Sequence, residues 1–143
     1  MANRSNINKR AKKHEREVQQ YLWPGSKFAG GAKRPALEDE DLRGIDKNGD
    51  LWWGECKSKS KEAITVIGVW KILNDAFDQC LEATIRNEEK TKIFSVLRKK
   101  GTGIESSQNL VMIEISDIIN SIKEYNEKII MPLSKFKKII TEE

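Results

Sequence analysis

The sequence predicts one α/β domain in which a mixed central β-sheet is flanked by helices. Three observations support that class. Segments with apolar residues at helical spacing alternate with short strand-like runs, the pattern of a layered α/β chain. The 143 residues match the size of one ordinary domain. No internal repeat and no low-complexity linker divides them.

The expected order is α-β-β-β-α-β-β-α. A first helix is predicted over residues 7–22, because Ile7, Ala11, Val18 and Leu22 fall on one stripe at steps of four, seven and four. Trp23-Pro24-Gly25 ends it, since proline cannot continue a helix and glycine tolerates the turn. Residues 27–34 include Gly30-Gly31 and read as a short strand or loop whose backbone passes close to a neighbour. Asp41–Ile45 and Leu51–Ser58 read as strands joined through Asp46-Lys47-Asn48-Gly49-Asp50, where the Asn-Gly pair favours a tight hairpin turn. A long helix is predicted over Gly68–Glu88 from the 3–4 spacing of Val69, Leu73, Ala76, Phe77, Cys80, Leu81, Thr84 and Ile85. Ile93–Leu97 and Leu110–Ile115 read as two further strands around a Gly101–Gly103 turn region. Ser116 suits the cap of a third helix over Asp117–Tyr125, and Pro132 breaks the chain before a short basic helix near Ser134–Ile140. In domain terms, residues 1–8 are expected to form a basic N-terminal arm and residues 126–143 a C-terminal tail on a single domain spanning 1–143.

Composition narrows the function classes. Hydrophobic residues make up 38%, enough for one core. No apolar run approaches the roughly 18 residues of a membrane span, so no such helix is expected. The start, Met1-Ala2-Asn3-Arg4-Ser5, runs into charge rather than an apolar stretch, so no secretory signal is expected either. Cys56 and Cys80 are too few for a disulfide framework or a zinc cluster, which makes a reducing cytoplasm the expected setting. The formal charge of +4 conceals a segregation. Residues 1–34 carry nine basic groups against Glu15 and Glu17, whereas residues 35–55 carry seven acidic groups against Arg43 and Lys47. Lys57, Lys59 and Lys61 follow at once. A basic arm beside an acidic knot beside more lysine suits a polyanion held around a metal; an unevenly charged solvated surface is the plainer alternative.

The stretch 41–57 carries the chemistry. Side chains alternate along a strand, so Leu51, Trp53, Glu55 and Lys57 share one face while Trp52, Gly54 and Cys56 share the other. Across the hairpin, Asp41 comes from the neighbouring strand, which lets its carboxylate approach that of Glu55. Two carboxylates that close are unfavourable unless a cation neutralises them. Mg²⁺ does so through hard oxygen ligands, and a lysine beside it can contact a scissile phosphate or orient water. The pattern reads as a metal-assisted phosphodiester hydrolase, against a surface hairpin whose charges pair in solvent. Glu15 lies on the apolar stripe of the first helix while Glu17 is turned well away from it. An inward carboxylate there calls for a partner: a metal site, its surroundings, or an internal salt bridge. Asp39 falls on the Asp41 face and competes with it as a ligand. Asp46, Asn48 and Asp50 look like the start of a calcium loop, but the twelfth position is Lys57, so a hairpin turn is preferred. His14, the sole histidine, suits a helix surface near nucleic acid better than histidine catalysis, and Cys56 reads as core rather than nucleophile.

Asp41-x₁₃-Glu55-x-Lys57, preceded by Pro35 and a Gly-rich segment, resembles the PD-(D/E)xK nuclease superfamily, and within it the small archaeal and phage-type Holliday junction resolvases. His14-Glu15-Arg16-Glu17-Val18 is similar to their first helix, with its glutamate falling on Glu15. Ala29-Gly30-Gly31-Ala32-Lys33-Arg34 is similar to their basic Ser/Gly-rich segment, Asp41-Leu42-Arg43-Gly44 to their strand aspartate, and Glu55-Cys56-Lys57-Ser58 to their E-x-K strand. Two positions depart from the pattern: Glu40 precedes Asp41 in place of proline, and Gly30–Ala32 lacks the family's loop serine.

The resemblance implies a restriction-endonuclease-like fold, a homodimer and symmetric cleavage of four-way DNA junctions in recombination and repair. Asp41 and Glu55, with the Cys56 carbonyl as a further ligand, would hold Mg²⁺, for which Mn²⁺ could substitute. Lys57 would stabilise the phosphate or position water, and Glu15 would complete the catalytic set. Lys9, Arg10, Lys12, Lys13 and Arg16 of the first helix, Lys33 and Arg34, and Lys59 and Lys61 would contact DNA phosphates. A viral or mobile-element source would place it in a host cytoplasm. Two other functions compete: a restriction- or repair-type endonuclease of the same superfamily acting on ordinary duplex, and a non-catalytic DNA-binding module.

Overall fold

The computed structural model describes residues 4–26, 42–88, 91–118 and 127–141, apart from the side chains of 4–12. Its elements are α1 (Arg4–Leu22), β1 (Leu42–Ile45), β2 (Leu51–Lys59), α2 (Lys61–Ile67), α3 (Val69–Arg86), β3 (Lys92–Lys99), β4 (Leu110–Glu114), β5 (Lys128–Pro132) and α4 (Leu133–Thr141). Together they form one α/β domain around a mixed five-stranded sheet of order β1-β2-β3-β4-β5. Only β2 and β3 are parallel, and the connection between them runs through α2 and α3, as a parallel pair requires. The other neighbours are antiparallel.

Alternation along the strands divides the core in two. Trp52, Cys56, Phe94, Val96, Val111 and Ile113 face α1 and α4, packing against Val18, Leu22, Leu133, Phe136 and Ile140. Trp53, Ile93, Leu97 and Met112 face α3 and pack against Leu73, Phe77 and Cys80. The rings of Trp23, Trp52 and Phe136 surround Phe94 at centroid distances of 5.9, 6.1 and 5.0 Å. Gly54 belongs to this arrangement. A β-carbon there would lie 2.3 Å from Phe94 Cζ, so no side chain fits without moving the ring.

Several elements differ from expectation. The helix predicted over 68–88 is present as α3, Val69–Arg86, but a short helix that was not expected, α2, precedes it; Gly68 separates the two, with a φ of 98° that is accessible to glycine and costly for other residues. Ser60 starts the first of them, its Oγ accepting from the Ala63 N–H at 3.2 Å. A 3₁₀ turn at Ile115–Asp117 stands where the third helix was expected to start, and the rest of that predicted helix, from residue 119 on, lies outside the described residues. The stretch expected to be a tail carries the short helix predicted near 134–140, as α4, but also an edge strand, β5, that was not expected. Met131, Leu133, Phe136 and Ile140 are buried in the main core, and the Leu133 N–H donates to the Asn109 carbonyl at 2.8 Å. At the other end, α1 begins at Arg4, so residues 4–8 are helical rather than an arm. The segment 27–34 lies outside the described residues. No helix among the described residues is long and apolar enough to cross a membrane.

Candidate active site and nucleic-acid interface

The β1–β2 hairpin is fixed by its own turn. The Asp46 carboxylate accepts from the Asn48 and Asp50 N–H groups at 2.8 and 3.0 Å and from the Trp52 indole N–H at 2.8 Å. Gly49 takes the left-handed conformation, with φ at 85°. Burial alone would raise the Asp46 pKa, but these hydrogen bonds and the Lys92 charge outweigh it and leave the group below the ordinary aspartate value. The Asp-x-Asn-x-Asp spacing that looks like a calcium loop is therefore accounted for by a turn.

From that turn β2 runs outward with Glu55 and Lys57 on the α3 face, the side shared with Trp53. Glu55 is 8% exposed, and Lys57 Nζ stands 3.7 Å from its Oε1. Cys56 is buried on the opposite face among the main core. Its thiol is thus directed away from Glu55 and Lys57, as alternation predicts. Arg43 lies opposite Trp53 in the hairpin and stacks over its ring at 5.2 Å, which brings a further cation to this face.

α1 is registered against the outer edge of β1. Buried Gln19 uses both ends of its amide, Nε2 donating to the Arg43 carbonyl at 2.7 Å and Oε1 accepting from the Arg43 N–H at 3.0 Å. One turn on, the Trp23 indole N–H donates to the Ile45 carbonyl at 3.0 Å. Helix and strand therefore advance together. Stepping back one turn from Gln19 brings half-buried Glu15 toward the Leu42–Gly54 end of the hairpin, next in sequence to Glu55.

A second polar cluster joins α1 to the β3–β4 connection. Arg98 is 3% exposed. Its Nη1 donates to the Thr102 carbonyl and Oγ1 at 2.9 and 3.0 Å and to Asn109 Oδ1 at 3.2 Å, and its Nη2 lies 3.3 Å from Glu17 Oε2. Buried Asn109 also accepts from the Lys99 N–H at 2.9 Å and donates to the Gly103 carbonyl at 2.7 Å. Sequence reasoning turned Glu17 away from the interior, yet its carboxylate is the one facing this buried guanidinium. The signal was available: Phe94, Val96 and Arg98 alternate onto one strand face, which puts a charge on a core-facing position. His14 sits 3.8 Å from Glu17 Oε1. Burial, chiefly, and the charges of Arg98, Lys100 and Lys13 lower its pKa against the opposing pull of Glu17.

Charge is distributed along the strands. Lys57 and Lys59 of β2, Lys61 of α2, and Lys99 and Lys100 occupy the carboxyl ends of the parallel pair. Asp46, Asp50 and Asp117 gather at the other end around Lys92 and a cavity of about 470 Å³. Of the other predicted DNA contacts, Lys13 and Arg16 are exposed on α1. The side chains of Lys9, Arg10 and Lys12, and the whole of Asp39, Asp41, Lys33 and Arg34, lie outside the described residues.

Glu55 offers hard carboxylate oxygens beside an ammonium, the donor chemistry of one half of a two-carboxylate Mg²⁺ site. Among the described residues, no three Asp, Glu, His or Cys side chains converge to hold a metal ion. No protein-family model, curated protein or solved structure matches the chain.

Proposed function

We propose that this chain is a Mg²⁺-dependent DNA endonuclease with a restriction-endonuclease-like fold that cuts branched DNA, as a Holliday junction resolvase does. The observation that carries the reading is the buried Glu55 carboxylate, 3.7 Å from the partly exposed Lys57 ammonium on one face of β2. Leu42 and Gly54 form the last described rung of the hairpin; Asp41 precedes one in sequence and Glu55 follows the other. The D…E-x-K pattern thus brackets that rung. Asp41 and Glu55 would hold the metal, with the Cys56 carbonyl as a further ligand. Bound there, Mg²⁺ supplies charge neutralisation at the phosphate and a more acidic water. Lys57 supplies a point charge for a non-bridging phosphate oxygen or orients water. Glu15, one helical turn from the Gln19 latch, completes the polar surround. Two symmetric cuts in a junction call for two related sites, hence a homodimer.

The test is cleavage of a synthetic four-way junction and of a linear duplex of the same sequence, with Mg²⁺, with Mn²⁺ and with chelator. Metal-dependent paired nicks in the junction are expected, lost in Glu55→Ala and Asp41→Asn while junction binding persists. Removing the Lys57 charge in Lys57→Met should slow cleavage by roughly 10²–10³-fold, the cost of deleting one transition-state charge partner. Equal cutting of the linear duplex would replace the junction assignment with a restriction- or repair-type activity. DNA left uncut in both metals would overturn the enzymatic reading.

A further inference from the structure

We propose that the carboxyl ends of β2 and β3 form a built phosphate-tracking surface, in which Lys59, Lys99 and Lys100 carry the backbone of a DNA arm away from the Glu55–Lys57 pair. The inference rests on the nuclease reading for its choice of partner; the surface itself is read from geometry.

Lys59 and Lys99 are direct partners across the parallel β2–β3 pair, and the Lys100 N–H donates to the Lys59 carbonyl at 2.9 Å. Their backbones are thereby fixed as neighbours at the rim of the sheet, with Lys59 and Lys99 on the α3 face and Lys100 turned toward α1, where its charge reaches His14. None of the three pairs with a carboxylate among the described residues; the Lys99 ammonium donates to Gln108 Oε1, a neutral partner that leaves its charge uncompensated. Like charges directly opposite on adjacent strands, as Lys59 and Lys99 are, repel, and a bound polyanion relieves that repulsion.

The turn that follows Lys99 is tied down by hydrogen bonds. Buried Arg98 and Asn109 grip it from below through Thr102, Gly103 and the Lys99 backbone. A gripped turn presents its charges with little ordering cost on binding, unlike lysines on a free loop. Glu17 extends the same grip to α1, and His14 feels both Lys100 and Lys13, so the basic half of α1 borders the turn. Lys57 and Lys59 step along one face of β2, and the row begins at Glu55. Lys59 stands four residues from Glu55, about 13 Å of strand, or the rise of about four nucleotides of one duplex strand. A backbone whose cleaved phosphate lies at Glu55 and Lys57 therefore continues onto this surface.

The experiment measures binding of a fluorescent linear duplex in chelator, where nothing is cut, over a range of salt. Lys59→Gln with Lys100→Gln should weaken binding about tenfold and flatten the salt dependence by about two counterions, close to one for each phosphate contact removed. Lys99→Gln with Lys100→Gln should do the same. The control, Lys47→Gln with Lys138→Gln, carries an identical change in net charge. Lys47 is exposed at the acidic end, where its N–H meets the Ile140 carbonyl, and Lys138 is exposed on α4; this variant should bind like the parent. Equal losses in test and control variants, or no loss in either test pair, would overturn the surface. A parent that cuts junctions but loses nothing in the test pairs refutes the surface and spares the nuclease. Binding lost as expected in the test pairs, from a parent that cuts nothing in Mg²⁺, does the reverse. A parent that binds no duplex at all refutes the surface outright.

Discussion

Adding one methyl group beside the candidate site, in Gly54→Ala, should disrupt the hairpin that carries Glu55. The new Cβ would sit 2.3 Å from Phe94 Cζ and 2.6 Å from both Cε atoms, well inside van der Waals contact. Phe94 has no room to yield, being fully buried with Trp23, Trp52 and Phe136 around it. Overpacking a tight core costs about 1–3 kcal/mol. A ring hemmed on three sides belongs at the upper end, and the entropy that alanine removes from the unfolded chain returns only about 0.5–1 kcal/mol. The net expectation is a loss of about 2 kcal/mol, which in a chain of this size lowers the melting temperature by roughly 5–8 °C. Urea and thermal unfolding followed by circular dichroism would measure it. Gly103→Ala, where a Cβ would meet nothing within 4 Å, is the control and should change little. Gly54→Ala combined with Phe94→Leu should recover part of the loss, because the smaller side chain vacates the contested volume. A Gly54→Ala protein within about 0.5 kcal/mol of the parent would show that the packing argument is wrong.

Three further outcomes are expected. Gln19→Leu keeps the bulk but leaves the Arg43 N–H and carbonyl without the amide that satisfies them, and should cost about 2–4 kcal/mol in urea unfolding, at about 1–2 for each group. Arg98→Met removes the donor that ties Asn109, Thr102 and Glu17 together; a loss of about 3 kcal/mol, with faster amide exchange across residues 99–109, is expected by equilibrium unfolding and hydrogen exchange. The carboxyl of Asp117 is raised from 3.8 to about 6, by burial first and Glu114 second, with Asp50 adding to the rise and Lys92 and the Ile93 N–H opposing it. Its protonated form is favoured by folding, so the stabilisation is complete below the ordinary 3.8 and is lost as pH rises through about 6. Asp117→Asn should flatten that decline and gain on the order of 1 kcal/mol at neutral pH, partial exposure having screened the effect, as urea midpoints across the same range would show.

The two faces of β2 were more legible in the sequence than the frame around them. Alternation along Leu51–Lys59 is enough to put Glu55 and Lys57 on one face and Cys56 on the other, because a nine-residue strand leaves no choice of side. The Asn-Gly turn was equally local. What local reasoning lacked was any contact distant in sequence. Lys128–Pro132 reads as a breaker because it is short and ends in proline. An edge strand nevertheless tolerates proline, and the pairing with Leu110–Glu114 is what makes it a strand. The helix over 68–88 was legible from its period, whereas α2 was missed, because seven residues are too few for apolar spacing to mark a helix. Arg98 could be flagged as a charge on a core-facing position, yet nothing in the sequence names Glu17, 81 residues away, as its partner.

Gln19 and Trp23 also bear on how this protein behaves in crowded solution. By occupying the Arg43 backbone and the Ile45 carbonyl, they act as a surrogate sixth strand made of side chains. An unprotected margin of β1 would otherwise template the addition of a foreign strand. Removing α1, by nicking or truncation, would therefore expose an adhesive seam, and the shortened protein should assemble through that seam into insoluble material.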